Sequence, residues 1–97
     1  MAEVKLSAAA RRDLAQIDDS SAAEFGGDVA DEYIRGLKTV FDLLKRHPRA
    51  GEAHREYGTG VRCKVHRSHR IIYRIDGKTV FVQRILHHSQ HVPKNLP

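Results

Sequence analysis

The chain of 97 residues contains one cysteine, three prolines and aromatic side chains at only 6% of its positions. A lone Cys63 forms no internal disulfide and builds no thiolate zinc site, so neither kind of staple supports this small core. No apolar run approaches the ~18 residues of a membrane span, and Met1-Ala-Glu-Val-Lys-Leu-Ser7 lacks the long apolar stretch of a signal peptide. The expected compartment is the cytoplasm. Repeats and low-complexity stretches are absent, and 40% hydrophobic with 30% charged residues describes a folding chain rather than a disordered one. Its length suits one domain, residues 1–97. Acids are scarce in the second half. Residues 1–48 carry seven Lys/Arg against nine Asp/Glu, a net of −2, whereas residues 49–97 carry ten against three, a net of +7, with six of the seven histidines. Such a cationic half suits an anionic partner, although a charged face also serves solubility alone.

The apolar positions set out an order of elements. Val4-Lys-Leu6 alternates and precedes Ser7, a natural N-cap, which predicts a short strand running into a helix. Ala10, Leu14, Ile17, Ser21 and Phe25 recur at three- and four-residue spacing along a helix from about Ala8 to Phe25, with a restart at Ser21-Ala-Ala-Glu24 as the alternative. Gly26-Gly27 breaks it, and Asp28 is placed to cap a second helix. That helix has Ala30, Tyr33, Ile34, Leu37, Val40, Phe41 and Leu44 on one face and ends before Pro48. A loop from Arg49 to Gly60 follows. From Val61 the period becomes two, and turns at Arg67-Ser68 and Asp76-Gly77 divide Val61–His66, His69–Ile75 and Thr79–Leu86 into an antiparallel meander. The expected class is α+β: a short first strand, a helical hairpin and a three-stranded antiparallel meander. The second and third of these strands are apolar on both faces, so the helices cover one face and something else covers the other.

Most chemistry-bearing residues have a plain reading. Cys63 alternates with Val61 and Val65 as a small core residue. His87-His88-x-x-His91 has metal-ligand spacing but no acidic partner, so no metal is expected. Gly58-Thr-Gly60 lacks the following helix of a phosphate cradle. Tyr33, Phe41 and Phe81 suit a core or an interface better than base stacking, and Arg74 suits solvation of the sheet. Arg84 differs, because it lies inside an apolar strand where an unpaired charge is costly, and it requires a structural or functional partner.

Taken in order, Leu6-Ser-x-Ala-Ala-Arg-Arg-Asp-Leu14, Ser21-Ala-Ala-Glu-Phe-Gly26, Ala30-Asp-x-Tyr33, His47-Pro48, His69-Arg-Ile-Ile-Tyr-Arg-Ile-Asp-Gly77 and Val82-Gln-Arg-Ile-Leu-His87 resemble the ParE branch of the RelE/ParE toxin superfamily, the plasmid-stabilisation toxins. The resemblance covers nearly the whole chain. It implies a toxin of a type II toxin–antitoxin system, held in a tight complex by a ParD-like antitoxin. The ParE branch poisons DNA gyrase, a type II topoisomerase, whereas the RelE branch cuts messenger RNA on the ribosome. One fold serves both, so the choice rests on the site. For a gyrase poison the expected contact residues are Arg62, Lys64, Arg67, Arg70, Arg84, His87 and His88, and the antitoxin is expected on Leu14, Ile17, Tyr33, Leu37 and Phe41 of the hairpin. Nucleic acid is then met only indirectly, and no cofactor, metal or membrane is implied. A metal-independent ribonuclease needs a base, a leaving-group acid and cations for the phosphorane. Lys64, Arg67, Arg84, His87 and His88 are the candidates, but no Tyr follows Tyr73, and His88 stands about where the RelE pattern has one. A basic nucleic-acid-binding module explains the charge and none of the ordered motifs.

Overall fold

A computed structural model describes residues 1–97. Strand β1 (Glu3–Leu6) leads into α1 (Ala8–Phe25) and α2 (Gly27–Arg46). One 3-10 turn (Pro48–Ala50), the two-residue β2 (Glu52–Ala53) and a second 3-10 turn (Arg55–Tyr57) then precede β3 (Val61–His66), β4 (His69–Asp76) and β5 (Thr79–His87). The strands form one sheet in the order β1-β5-β4-β3-β2, with β1 parallel to β5 and the other pairs antiparallel. The meander is thus extended at both ends. β1 becomes an edge strand, and part of the expected 49–60 loop adds β2 and two 3-10 turns. No helix is long and apolar enough to cross a membrane.

Ser7 joins the first strand to the first helix. Its hydroxyl oxygen accepts from the Ala10 N–H at 2.9 Å and donates to the Gln83 carbonyl at 2.7 Å, so the N-cap also ties the helix start to β5. The helix runs unbroken to Phe25 without restarting at Ser21. Gly26 ends it at φ 92°, a left-handed angle that a side chain would strain. Gly26 is also the N-cap of α2 and makes no side-chain cap bond; Asp28, expected as the cap, falls in the first turn, where its charge still favours the helix N-terminus.

The core lies between the helices and one sheet face: Ala10, Ile17, Leu37, Phe41, Leu44, Ile71, Tyr73, Val80, Val82 and Ile85. Burial of each large aliphatic side chain contributes about 1.5–3 kcal/mol. Tyr73 is fully buried yet satisfied, donating to the Pro48 carbonyl at 2.6 Å and accepting from the Gly51 N–H at 2.9 Å. A Cβ at Gly51 would stand 2.7 Å from that ring and 2.8 Å from the Cys63 carbonyl, so only glycine lets this turn approach.

The second sheet face is covered by the chain's own tail. Val92, Leu96 and Tyr57 pack on Val61, Ile72 and Leu86. The Pro97 main-chain oxygen accepts from Arg74 Nη1 at 2.8 Å and Gln83 Nε2 at 3.1 Å, and the Gln90 carbonyl accepts from Arg70. Although polar in composition, the tail is a strap over the sheet.

Candidate functional site

Between α1, the start of α2, the β3–β4 turn and the end of β5 lies a groove of about 670 Å³. Its floor and walls come from Ile17, Tyr33, His69, Ile85 and His87, and its rim from Phe25 and Val29. The rim is apolar and open, with Phe25 62% and Val29 48% exposed. The spacing that placed Phe25 on the apolar stripe of α1 is correct, but the stripe outruns the sheet. Its last apolar residue stays mostly exposed.

One wall is set by an ion pair. Arg84 donates from Nε and Nη2 to the two carboxylate oxygens of Asp13 at 2.7 and 2.9 Å, and the Ile85 N–H donates to Asp13 Oδ2 at 3.0 Å. β1 pairs with β5 only as far as Val82, so beyond that residue Asp13 supplies the acceptor that a neighbouring strand would have supplied. The register of β4 on β5 also shifts here: Ile72 faces Arg84 and Tyr73 faces Val82, leaving Gln83 as the extra residue of a bulge. The bonds to Asp13 raise the Arg84 pKa against the opposing effect of burial.

At the turn the imidazoles gather around Tyr33. Its hydroxyl lies 2.6 Å from His69 Nδ1, and the ring meets His66 and His69 edge-on with centroids 5.5 Å away in each case. His87 follows at 5.4 Å from His69, and His88 at 4.2 Å from His87. Burial lowers the His69 pKa, and the neighbouring His87, His66 and His88 lower it further; burial and then Arg67 lower that of His66. Burial raises Tyr33, against a hydrogen bond from the Ser68 main chain and the charge of Arg67. The shifts of Tyr33 and His69 both favour the neutral forms near pH 7, and the phenol oxygen and Nδ1 share one hydrogen bond, with the His66 carbonyl as a further acceptor for the phenol at 3.4 Å. His87 Nδ1 lies 2.7 Å from the Ser89 hydroxyl and 3.2 Å from the Ser89 N–H, so the turn after β5 holds this ring. Close approach of His66 depends on Gly36, where a Cβ would meet the ring at 2.8 Å. No three His, Cys, Asp or Glu side chains converge as a metal site.

A family model described as the ParE toxin of the type II toxin–antitoxin system parDE matches residues 4–92. The chain belongs to the ParE toxin family. It is 37% identical over 92 residues to Toxin ParE1 of Mycobacterium tuberculosis strain H37Rv, covering 94% of each chain, and 30% identical over 96 residues to Toxin ParE1 of Caulobacter vibrioides, covering 99% of each. The chromosomal ParDE TA system from P. aeruginosa contains a chain that shares the fold, with a TM-score of 0.77 at 22% identity, over 90% of this chain and 96% of that one. A chain of the toxin–antitoxin complex RelBE2 from Mycobacterium tuberculosis gives a TM-score of 0.65 at 27% identity, over 90% and 98%.

Within this ParE fold the expected target contacts do not form one surface. Arg62 and Lys64 stand opposite Tyr73 and Ile71, which belong to the helix-side core, so both occupy the helix side of β3. Arg70 lies on the other face, against Tyr57 and the tail. Arg67 is in the turn at φ 51°, Arg84 is held by Asp13, and His87 and His88 sit at the end of β5. The expected antitoxin residues also need correction. Leu37, Phe41 and Ile17 are buried under the sheet and Leu14 packs against the same cluster, because the stripe that looked free is what closes the core. Of that set Tyr33 and Ile17 still line the groove. Phe25, Val29, Asp13 and His69 were not singled out by the sequence; an apolar residue at the end of an amphipathic stripe was the available sign for Phe25. Cys63 is buried, and burial raises its thiol pKa against the pull of Arg70, so it remains a protonated core residue.

Proposed function

We propose that this toxin acts in the cytoplasm as a binding poison of DNA gyrase and is neutralised by a ParD-like antitoxin that fills the groove rimmed by Phe25 and Val29. The carrying observation is the dispersal of the residues a ribonuclease would use. Arg84, the strand cation a phosphorane would need, is neutralised by a two-point bond to Asp13. Arg84 and His87 line the groove, but Lys64 lies on the helix side of β3, Arg67 in the turn and His88 exposed just past β5, so no single cleft gathers all five. Catalytic groups must meet at the reacting atoms, whereas a binding surface tolerates spread. Membership of the ParE family supports the same reading. On it, Arg67, His87 and His88 form the target-facing end, with Arg62 and Lys64 on the adjoining flank, while Arg70 and Arg84 hold the tail and α1 in place.

The groove suits an antitoxin segment because it combines an exposed aromatic rim with polar walls, the composition of a protein-binding site. Pulse labelling after induced expression decides between the branches. DNA synthesis is expected to fall before protein synthesis, and the purified toxin to inhibit supercoiling or stabilise cleaved DNA when gyrase is present. The cluster of Tyr33, His69, His87 and His88 favours a second reading, the ribonuclease. Site-specific cleavage of ribosome-bound message, abolished by His88→Ala, with gyrase unaffected, would move the protein to that branch.

A further inference from the structure

The fold sorts the cations of the chain into those it uses and those it leaves free. Only Lys45, Arg74 and Arg84 among the lysines and arginines lie in ion pairs. Arg70 and Arg74 hold the tail, and Arg84 holds α1. On the helix side of β3 the situation is different. Arg62, Lys64 and His66 share one face at alternate positions, facing Tyr73, Ile71 and His69 across the ladder. All three are half-exposed at the flank of the sheet. Arg62 donates only to a neutral oxygen, the Arg49 carbonyl at 3.2 Å, and its Nε has no partner. That bond brings in Arg49, which lines a depression with Arg46 and His47 just past the C-terminus of α2. Arg46, Arg49, Arg62 and Lys64 are thus four cations along one flank, none paired with a carboxylate.

We propose that this flank, from Arg46 and Arg49 through Arg62 and Lys64 to His66, binds the phosphodiester backbone of duplex DNA directly. Alternate residues of a strand are about 6.7 Å apart, so the row presents evenly spaced donors to an evenly charged polymer. Its composition separates DNA from an acidic protein. Protein interfaces are centred on apolar or aromatic anchors, but the exposed large hydrophobic residues are Met1, Phe25, Val29 and Val65, and Val65 falls on the opposite face of β3 by alternation. Contacts to phosphate require Arg and Lys and no such anchor. Composition also separates duplex from single strand. Single-stranded DNA and RNA are held by stacking bases on aromatic rings, and the flank carries no Phe, Tyr or Trp; its rings are His47 and His66, the latter packed against Tyr33 and Gly36. Without groups that read base edges, the contact is independent of sequence. This site does not rest on the gyrase reading, and its test contains no gyrase.

Fluorescence anisotropy of a labelled 20-base-pair duplex with the purified chain, from 50 to 200 mM salt, tests the site. Four phosphate contacts give a slope of log K against log salt of about −3.6, a loss of affinity of about 150-fold over that range. Arg62→Ala/Lys64→Ala should halve the slope to about −1.8 and the loss to about 12-fold. Arg11→Ala/Arg12→Ala removes two exposed cations from α1, which packs at the β5 side of the sheet, and should leave the slope unchanged. Lys64→Gln alone should lower the slope magnitude by about 0.9, and it keeps the Arg62–Arg49 bond should the double variant fold poorly. Three results would each overturn the proposal: no saturable binding at 50 mM salt, a slope indifferent to Lys64→Gln, or tighter binding of a single-stranded RNA or a polyglutamate of equal charge.

Discussion

Replacing Asp13 with alanine tests how the groove wall is built. The carboxylate accepts three hydrogen bonds, two from the Arg84 guanidinium at 2.7 and 2.9 Å and one from the Ile85 N–H at 3.0 Å. Removing it leaves a guanidinium without its counter-charge and an amide without its acceptor at the point where β5 has no neighbour on its β1 side. Breaking a fully buried pair costs about 3–5 kcal/mol. Here the side chains are 23% exposed for Arg84 and 11% for Asp13, so water can solvate part of the stranded charge. The expected loss for Asp13→Ala is therefore about 2–3 kcal/mol, or roughly 10–15 °C in Tm for a domain of this size. Arg84→Met should lose less, about 1–2 kcal/mol, because Asp13 keeps its amide donor and part of its contact with water. Urea denaturation followed by far-UV circular dichroism measures both, with the double variant closing a cycle. A coupling energy of about 1–2 kcal/mol is expected. Loss of under 0.5 kcal/mol in Asp13→Ala, or additive single variants, would mean that the pair is only a surface contact and that another interaction holds α1 to β5. Because the bond raises an arginine pKa that is already far above neutrality, this term should not vary between pH 5 and 9 through Arg84.

Gly51→Ala should destabilise the fold by about 2–4 kcal/mol, since a Cβ 2.7 Å from Tyr73 and 2.8 Å from the Cys63 carbonyl must displace a buried ring or a strand; an unchanged urea midpoint would contradict that geometry. For His66 and His69 the native pKa lies below the ordinary 6.5, so their unfolded forms bind more protons, and the stability they allow is complete above about pH 6.5 and is lost as the pH falls from there toward each lowered native value. A lower urea midpoint at pH 5.0 than at 7.5 is expected, with the difference reduced in His69→Gln, and equal midpoints would refute the shift. Leu96→Ala in the tail strap should cost about 1–2 kcal/mol, less than a fully buried leucine because the side chain is only half-buried, and should increase limited proteolysis after residue 88; a protease-resistant tail would show that the polar bonds to Arg70 and Arg74 suffice.

The helices and the meander were legible because their signals are local. Ser7 states a helix start, Gly26-Gly27 a break, Pro48 a stop and Asp76-Gly77 a hairpin, each through the φ/ψ or hydrogen bond that residue type favours. The pairing of β1 with β5 was not legible. It joins Glu3–Leu6 to Thr79–Val82, more than seventy residues away, and a four-residue alternation says only that a strand exists, not which edge it meets. β2 carries even less information, with two exposed residues whose only partners are Arg62 and Cys63. The double-sided apolar character of β4 and β5 correctly required a second cover. The identity of that cover was hidden because Val92 and Leu96 are isolated among polar residues and lie beyond any periodic segment.

The candidate contact residues were chosen by type, and strand parity decides which face each of them occupies. Arg62 and Lys64 are even-numbered on β3 and Arg70 is even-numbered on β4, yet the hairpin register sets His66 against His69, so even positions of β3 pair with odd positions of β4. The numbers that seem to align Arg62, Lys64 and Arg70 therefore put Arg70 on the far side of the sheet. The bulge at Gln83 inserts a residue and reverses parity once more along β5: Val80 and Val82 precede it, and Ile85 follows it, all within the same core. Arg84 comes next to Gln83 at the point where the alternation breaks, which is why an alternating pattern could mark it as costly without naming Asp13, seventy-one residues earlier, as the group that satisfies it. Helical parity misled in the opposite direction. A stripe at positions 14, 17, 33, 37 and 41 looks the same whether it faces a partner or the chain's own sheet, and only Tyr73, Val80 and Val82 arriving from the meander decide that Leu37 and Phe41 are already covered. Where the sheet is too short to reach, the last apolar residue of the α1 stripe, Phe25, stays exposed beside Val29 at the start of α2.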